Sequence, residues 1–483
     1  MSLNLVQNEK RYIHIAIMFV LMIGIGYLPK FGVITELGMK VLGVFVGIVY
    51  GWCFIDLTWV SVFGLVMLSA TGYIKVLPAM MAGFSNNVVV TIIIVCVFGE
   101  YLKRIGVTEV IAYWVLSKKM FLGRPWLLVC GMVVISIVVG LLGASFAGVF
   151  LLWGIVEVVT QKNGIEKGNV FLSTIYALVI YGVMIMTSHI PFRAAFLTFS
   201  GFFTQATGLT ISAGHFFIIG IVYTILVMTL FVLIAKFVLR VDASMFIMTE
   251  ELQQSYTQYK ASRNQKLALW LVLIYFLALV LPSFLGSQWG FCKVLNDLGI
   301  VGISIIYMFI FAVLGDDKGK SLVDMTEAFK YGVAWPTVLL IVVTIPLGDA
   351  MGAESVGITA TINAFCIAHL SGLNVLALTI LALFVVGFLT QFLHNLVVAM
   401  IFIPILTSLT ISMGGNPYVM FFAIHSALTC AFATPAGSPQ ASLIFGHGSI
   451  PSKHSYLNGW VLYFCSCIIT IVLLPFVNFM LPY

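Results

Sequence analysis

Charge is the scarcest ingredient of this 483-residue chain: Asp, Glu, Lys and Arg make up 8% of it, against 61% hydrophobic residues. A water-soluble fold needs roughly three times that charged fraction on its surface, so a soluble enzyme or binding module is excluded. Long polar stretches are scarce too. The longest, 241–266, is a connector, and no soluble domain fits between the apolar runs. No Walker-type sequence or nucleotide domain exists, which excludes a primary pump. A membrane enzyme finds little support, because there is no His-rich metal motif, paired catalytic carboxylates or Gly-rich phosphate loop. Asn-x-Ser/Thr acceptors are missing, which with the short loops suits a bacterial cytoplasmic membrane. Eight cysteines are present, mostly inside apolar runs and without metal-ligand spacing. They read as small core hydrophobes, not a disulfide framework. A net charge of +6 leaves no nucleic-acid footprint, because the basic residues cluster in short loops.

What the chain has instead is apolar length. Runs near 12–29, 37–54, 58–74, 86–102, 126–159, 170–206, 215–239, 267–286, 298–315, 335–352, 374–412, 418–447 and 458–481 approach or exceed a bilayer crossing. The fold class is therefore an all-α polytopic membrane protein of about 11 spans. Lys10 and Arg11 precede the first run with no small-x-small cleavage site after it, as in a retained signal anchor. Placing all the basic loops in the cytoplasm works only if 126–159 and 374–412 each enter and leave on one face. That puts the N-terminus and the 241–266 connector inside and the C-terminus outside. Two re-entrant hairpins follow, although two full spans in each place give the same parity.

Sliding the chain on itself by 249 residues pairs Ala79 with Ala328, Gly83 with Gly332, Gly99 with Gly348, and Glu100 with Asp349. Each copy starts on a short amphipathic stretch, 76–84 or 322–331, followed by a span, a hairpin-like run and an overlong span interrupted by proline. The first copy's span runs inward and the second's outward, so the repeats are inverted. The expected organisation is scaffold helices over 1–75, repeat one over 76–240, the connector over 241–266, scaffold helices over 267–320, and repeat two over 321–483. Run 170–206 is roughly twice a simple span, and Pro191 in Ser188-His189-Ile190-Pro191-Phe192-Arg193 should break it. Thr434-Pro435-Ala436-Gly437-Ser438-Pro439 is the stronger counterpart in repeat two. Unwound backbone at membrane depth is tolerated only where it is buried or lines a cavity. There, half-helix N-termini suit an anion and loose carbonyls a cation.

The stretch Phe388 to Pro404, with His394-Asn395 at its turn, then Asn416-Pro417 and Thr434-Pro-Ala-Gly-Ser438-Pro439, resembles the divalent anion:sodium symporter family. Phe84-Ser-Asn-Asn-Val-Val-Val is similar to the opening of that family's first repeat. The resemblance covers roughly 35–480 in architecture, and is close in motif only in repeat two. It implies transport of a di- or tricarboxylate or sulfate, a homodimer, and a domain of hairpins and broken helices sliding against a scaffold. It implies sodium as coupling ion and no other cofactor, with Asn395, Gly437 and Ser438 as a candidate sodium site. The family's Ser-Asn-Thr hairpin tips are reduced here to His394-Asn395-Leu396 and to Ser145 at most. Its Thr-Pro-Pro-Asn breaks are replaced by Ile190-Pro191-Phe192-Arg193 and Ser438-Pro439-Gln440-Ala441. Sodium coupling at two sites does not follow from such a pattern.

Arg193 is the most informative charge. At membrane depth an arginine costs roughly 2.5–3.5 kcal/mol unless paired or hydrated, and no apolar run supplies an obvious carboxylate. It either stands in for a sodium ion and contacts the anion, or snorkels and caps carbonyls. His394 is suited to substrate contact or proton coupling, with hydrogen-bonded packing as the plainer alternative; His189 carries the same choice, and His425 reads as packing. Asn395, Thr434, Ser438, Ser145 and Ser188 offer compact oxygens to a cation or an oxyanion, or else cap helices. Glu100 reads as an ion-pair partner of Lys103 and Arg104. Ser85, Asn86 and Asn87 read as caps. The reading is a secondary transporter of a small multivalent anion, coupled to sodium, protons or exchange. A cation/proton antiporter of the same superfamily is the alternative, and it lacks a well-placed buried carboxylate. The expected partners are the anion, the bilayer and a second copy of the chain.

Overall fold

The computed structural model describes the chain except for residues 1, 57, 143–144, 286–288, 315–320, 322, 334, 359, 362–363, 365–372, 394, 436, 446 and 448. Every named element among the described residues is a helix. A bilayer demands this, since a spanning segment must satisfy its own peptide groups. Six described helices are long and apolar enough to cross, and a bent pair, Val76–Phe84 with Val89–Phe98 at 56°, adds a seventh. Seven shorter apolar helices accompany them, so about eleven crossings draw on both classes.

Helices α1 (Ser2–Gly24), α2 (Glu36–Phe54) and α3 (Thr58–Ala70) lead to α4 (Val76–Phe84), α5 (Asn87–Ile105) and α6 (Val107–Leu116). A helical hairpin follows, α7 (Pro125–Leu141) and α8 (Ser145–Lys162), then an interrupted helix, α9 (Val170–Ser188) and α10 (Ala194–Thr207), and α11 (Ala213–Leu233), which ends in a π-helical turn at Ile234–Val238. The middle of the chain holds α12 (Glu250–Thr257), α13 (Arg263–Val280), α14 (Pro282–Leu285) and α15 (Gly290–Val313). The series then recurs as short α16 (Met325–Gly332), α17 (Trp335–Gly352), and a second hairpin, α18 (Val375–Leu389) and α19 (Asn395–Ser412). A second interrupted helix, α20 (Pro417–Thr429) and α21 (Pro439–Phe445), and the last helix α22 (Ser452–Met480) complete it.

Local chemistry sets these boundaries. Pro125 and Pro417 open α7 and α20, where a missing N–H costs nothing. Asn169, Asn374 and Asn416 cap α9, α18 and α20 with their side-chain oxygens. Hairpin arms of 15 to 18 residues reach roughly 22–27 Å, just under a hydrocarbon core of about 30 Å, which suits segments that turn back.

The two series dock reciprocally. Gly83 of α4 lies so close to α17 that a Cβ would overlap the Val342 carbonyl oxygen. Gly332 of α16 lies against α5, where a Cβ would stand 2.9 Å from Glu100 Cβ and 3.2 Å from the Cys96 carbonyl oxygen. Ala79 and Ala328, one turn earlier in each helix, are both fully buried. The residues paired by the 249-residue offset thus hold equivalent contacts, each short helix on the other series' long one.

Two masses result. The hairpins and interrupted helices form one, with α7 and α8 on α9, α18 and α19 on α20, and α10 along α19. In α9, every residue from Phe171 to Met186 is buried. The other groups α1 to α5 with α15 to α17. Helix α10 meets α5 between them, and α11 meets α13 and α14. Cys292, Cys430, Cys465 and Cys467 are buried free thiols, whereas Cys130 is exposed.

Candidate functional site

Helix α9 stops at Ser188, where the His189 N–H closes the last turn on the carbonyls of Ile185 (3.2 Å) and Met186 (3.1 Å). Pro191 has no N–H to extend it, and α10 begins at Ala194 with Arg193 extended at φ −107, ψ 152. From there the Arg193 Nη2 donates to the carbonyl oxygen of Leu142 at 3.0 Å. Leu142 is the C-terminal cap of α7, immediately before the first hairpin's turn. A guanidinium at a helix C-terminus meets unpaired carbonyls and a partial negative charge. Among the described residues Arg193 makes no ion pair, and it is only half-buried. The Leu142 carbonyl dipole is the partner that this contact gives its charge.

The Ser188 hydroxyl donates back to Met184 at 2.8 Å inside α9, a common mid-helix bond. Ser145 is the first residue of α8, and its side chain lies outside the described residues, as does the turn at 143–144.

Behind the first break sit two fully buried histidines. His189 Nδ1 donates to Ile185 O at 2.8 Å, and His425 Nε2, from α20, donates to the Ser188 carbonyl at 3.0 Å. Their rings meet edge to face, centroids 4.8 Å apart. Because both donors point at carbonyls, the remaining ring nitrogens, His189 Nε2 and His425 Nδ1, are bare acceptors without a described partner. His425 is therefore more than the packing residue expected of it: it fastens the second interrupted helix to the broken end of the first. Gly220 of α11 permits this, since a Cβ there would stand 2.6 Å from His189 Cβ.

The second break is organised by a residue that the sequence did not single out. Gln391, fully buried at the end of the second hairpin's first arm, accepts from the Ala433 N–H at 2.8 Å and donates to the carbonyls of Gly387 (2.8 Å) and Cys430 (3.3 Å). The Thr434 hydroxyl donates to the Gln391 carbonyl. Ser438 donates to Ala431 O at 2.8 Å and accepts from the Ala441 N–H at 3.1 Å, capping α21. Between them lies Gly437: a Cβ there would stand 2.9 Å from Thr390 O and 3.1 Å from both Gln391 O and Ala431 O. Three carbonyl oxygens and two hydroxyls thus crowd one glycine, the kind of oxygen set a hard cation takes. Asn395 opens α19 and is half-buried; His394 and Ala436 lie outside the described residues.

The halves interlock. Helix α10 packs along α19, and at their far ends Phe203 stands 5.4 Å from Tyr418, whose hydroxyl donates to Thr210 O at 3.2 Å. Past the second break, His447 packs on Trp153 (5.0 Å) and Tyr176 (4.5 Å) of the first half.

A model of the sodium:sulfate symporter transmembrane region matches residues 9–481. The chain belongs to the sodium:sulfate symporter family. It is 23% identical over 217 residues to a sodium-dependent dicarboxylate transporter, SdcS, of Staphylococcus saprophyticus, covering 45% of this chain and 41% of the relative. The SdcS protein of Staphylococcus aureus is 26% identical over 196 residues, 40% and 36% of the two chains. The matched stretch is thus less than half of each relative's length. In three dimensions the crystal structure of the Alcanivorax borkumensis YdaH transporter, described as having an unusual topology, matches with a TM-score of 0.54 at 14% identity, covering 84% of this chain and 89% of that one.

Membership places the chain in a family of membrane symporters. It also gives meaning to a cleft of about 700 Å³ between α10 and the mass formed by α4, α5, α15 and α17, whose mostly apolar wall carries Ser85, Asn86, Thr198, Thr204, Gln205 and Asp349. Gln205 Nε2 bridges it, donating to Asp349 Oδ1 at 2.7 Å and to Ile345 O at 3.3 Å. A second cleft of about 400 Å³ continues along α10 to Pro191 and Phe192 at the break. Asp349 stands near the C-terminal end of α17. It is exposed, yet held by the interrupted helix of the other mass. Glu100, its counterpart at the 249-residue offset, pairs instead with Arg104 at 3.0 Å, as expected, and Arg104 also reaches Glu327 at 3.1 Å.

Proposed function

We propose that this protein is a secondary transporter of a dicarboxylate, coupled to sodium, in which Arg193 supplies one of the two positive charges that hold the anion. The observation that carries this reading is the Arg193 guanidinium, without an ion pair among the described residues, held by the Leu142 carbonyl between the first break and the end of the first hairpin arm. With the N-terminus of α10 directly after it, the region favours a compact anion. Two relatives bear the name of sodium-dependent dicarboxylate transporters, which supports the substrate class. Asn395, Gly437 and Ser438, with the carbonyls of Thr390, Gln391 and Ala431, form the sodium site of the second half. His394 and Thr434 flank the anion there, with Ser145 and Ser188 on the opposite side. The hairpins and interrupted helices move as one body against the remaining helices of a homodimer. The protein sits in the cell membrane, N-terminus in the cytoplasm and C-terminus outside, as the basic loops direct.

Uptake of labelled succinate into proteoliposomes tests the reading under an inward sodium gradient, an inward proton gradient, or neither. Uptake driven by sodium and inhibited by excess unlabelled dicarboxylate is expected. Sodium–proton exchange without any anion dependence would replace this reading with the antiporter.

A further inference from the structure

At the connector end, far along the chain from both breaks, lies a cavity of about 560 Å³. Its wall comes from three places: the start of α9 at Asn169, the turn after α11 with Arg240 and Asp242, and the first turn of α22 with Lys453 and His454. Two cations face one space, and among the described residues neither Arg240 nor Lys453 makes an ion pair. One carboxylate, Asp242, shares the wall, so the two cations leave the cavity with a net positive charge. Asp242 Oδ1 accepts from the Ser244 N–H at 2.9 Å, and that bond holds its carboxyl below the usual range, so it stays ionised within its own turn. The Asn169 side chain is likewise occupied, capping α9 at Phe171 N (2.7 Å), and His454 Nδ1 lies 3.2 Å from the Ser173 hydroxyl.

Arg240 is the telling residue. The chain leaves the π-helical turn Ile234–Val238 with Arg240 at φ 49, the one non-glycine residue of positive φ among those described. The Val241 N–H then bonds back to Ala235 O at 2.9 Å. Such a left-handed helix end ordinarily takes glycine, because a Cβ is strained there. An arginine in that position points to a use for its side chain, and π-helical turns concentrate at functional sites. Next to it, Phe237 and Val238 are 64% and 70% exposed, an apolar edge fit to face acyl chains. Cations above an apolar edge, where three helices begin or end, mark the headgroup level of a bilayer.

We propose that this cavity binds a phosphate group, carried by an anionic phospholipid, with Arg240 and Lys453 as its ligands. The guanidinium fork suits two phosphate oxygens, and the ammonium adds a point charge. The basic connector beside it favours the anionic leaflet. A lipid seated there joins α9 and α11 of the first series to α22 of the second.

The purified full-length protein in detergent is titrated with phosphatidylglycerol, phosphatidylcholine or inorganic phosphate while its melting temperature is followed. Phosphatidylglycerol is expected to raise the melting temperature by several degrees and phosphatidylcholine to leave it unchanged. Lys453→Gln and Arg240→Gly should each weaken the response at least tenfold. Arg240→Gly is the sharper variant: glycine relieves the strained turn, so without lipid it melts no lower than the parent while losing the response. Equal responses to the two lipids, or an undiminished phosphatidylglycerol response in both variants, overturns the site. A response to inorganic phosphate but not to phosphatidylglycerol overturns the lipid assignment.

Discussion

Arg193 and Leu142 are joined across 3.0 Å, guanidinium to carbonyl, so the break of the first interrupted helix is tied to the turn of the first hairpin. Under the proposed reading, this sets a permanent cation where the anion binds.

Replacing that cation should weaken substrate binding more than turnover. A charge-assisted hydrogen bond is worth about 1.5–3 kcal/mol, which corresponds to roughly 10- to 100-fold in apparent affinity. Arg193→Gln is expected to raise the half-saturating succinate concentration by that factor, with protein yield retained. Unchanged affinity in uptake assays would remove Arg193 from the site.

Gly437 bears on the cation. A methyl group there would press on three carbonyl oxygens at 2.9–3.1 Å, and forced overpacking costs about 1–3 kcal/mol. Gly437→Ala should raise the sodium concentration needed for half-maximal uptake at least tenfold while leaving the thermal stability of the sodium-free protein within a few degrees. An unaltered sodium dependence would place the ion elsewhere.

His425 fastens α20 to the end of α9 through the Ser188 carbonyl. Leaving a buried carbonyl unsatisfied costs about 1–3 kcal/mol. His425→Leu should lower the melting temperature and the maximal uptake rate, and His425→Gln, which can still donate, should recover much of both. Equal loss in the two variants would reduce His425 to a space-filling ring.

How much of this was legible in the sequence varied with the range of the interaction. The Pro191 break follows from a local rule, the missing donor, and it stands where that rule puts it. The offset pairing of Gly83 with Gly332 was readable because close approach leaves a bare Cα in both copies. Gln391 and His425 were not readable as anchors. Each looks like one polar side chain at the edge of an apolar run, and its meaning depends on carbonyls 39 and 237 residues away. Arg193 was picked out as a charge, but its tie to Leu142 needed the fold.

Gln205 and Asp349 span the cleft between the two masses with a 2.7 Å hydrogen bond. If the masses slide past each other, this contact must open in every cycle. In a background whose eight native cysteines are replaced by serine or alanine and which still transports, a Gln205→Cys, Asp349→Cys pair bridged by mercuric ion should stop uptake, and excess thiol should restore it, with neither single variant sensitive. Full activity of the bridged protein would mean that α10 and α17 never separate.

The most direct test of Arg193 as a fixed substitute for one sodium is the sign of charge movement. A divalent succinate travelling with one sodium carries net negative charge inward. In proteoliposomes with a fixed sodium gradient, a valinomycin-imposed inside-positive potential should raise steady-state succinate accumulation. Accumulation that is indifferent to voltage, raised by an inside-negative potential, or independent of sodium would contradict it.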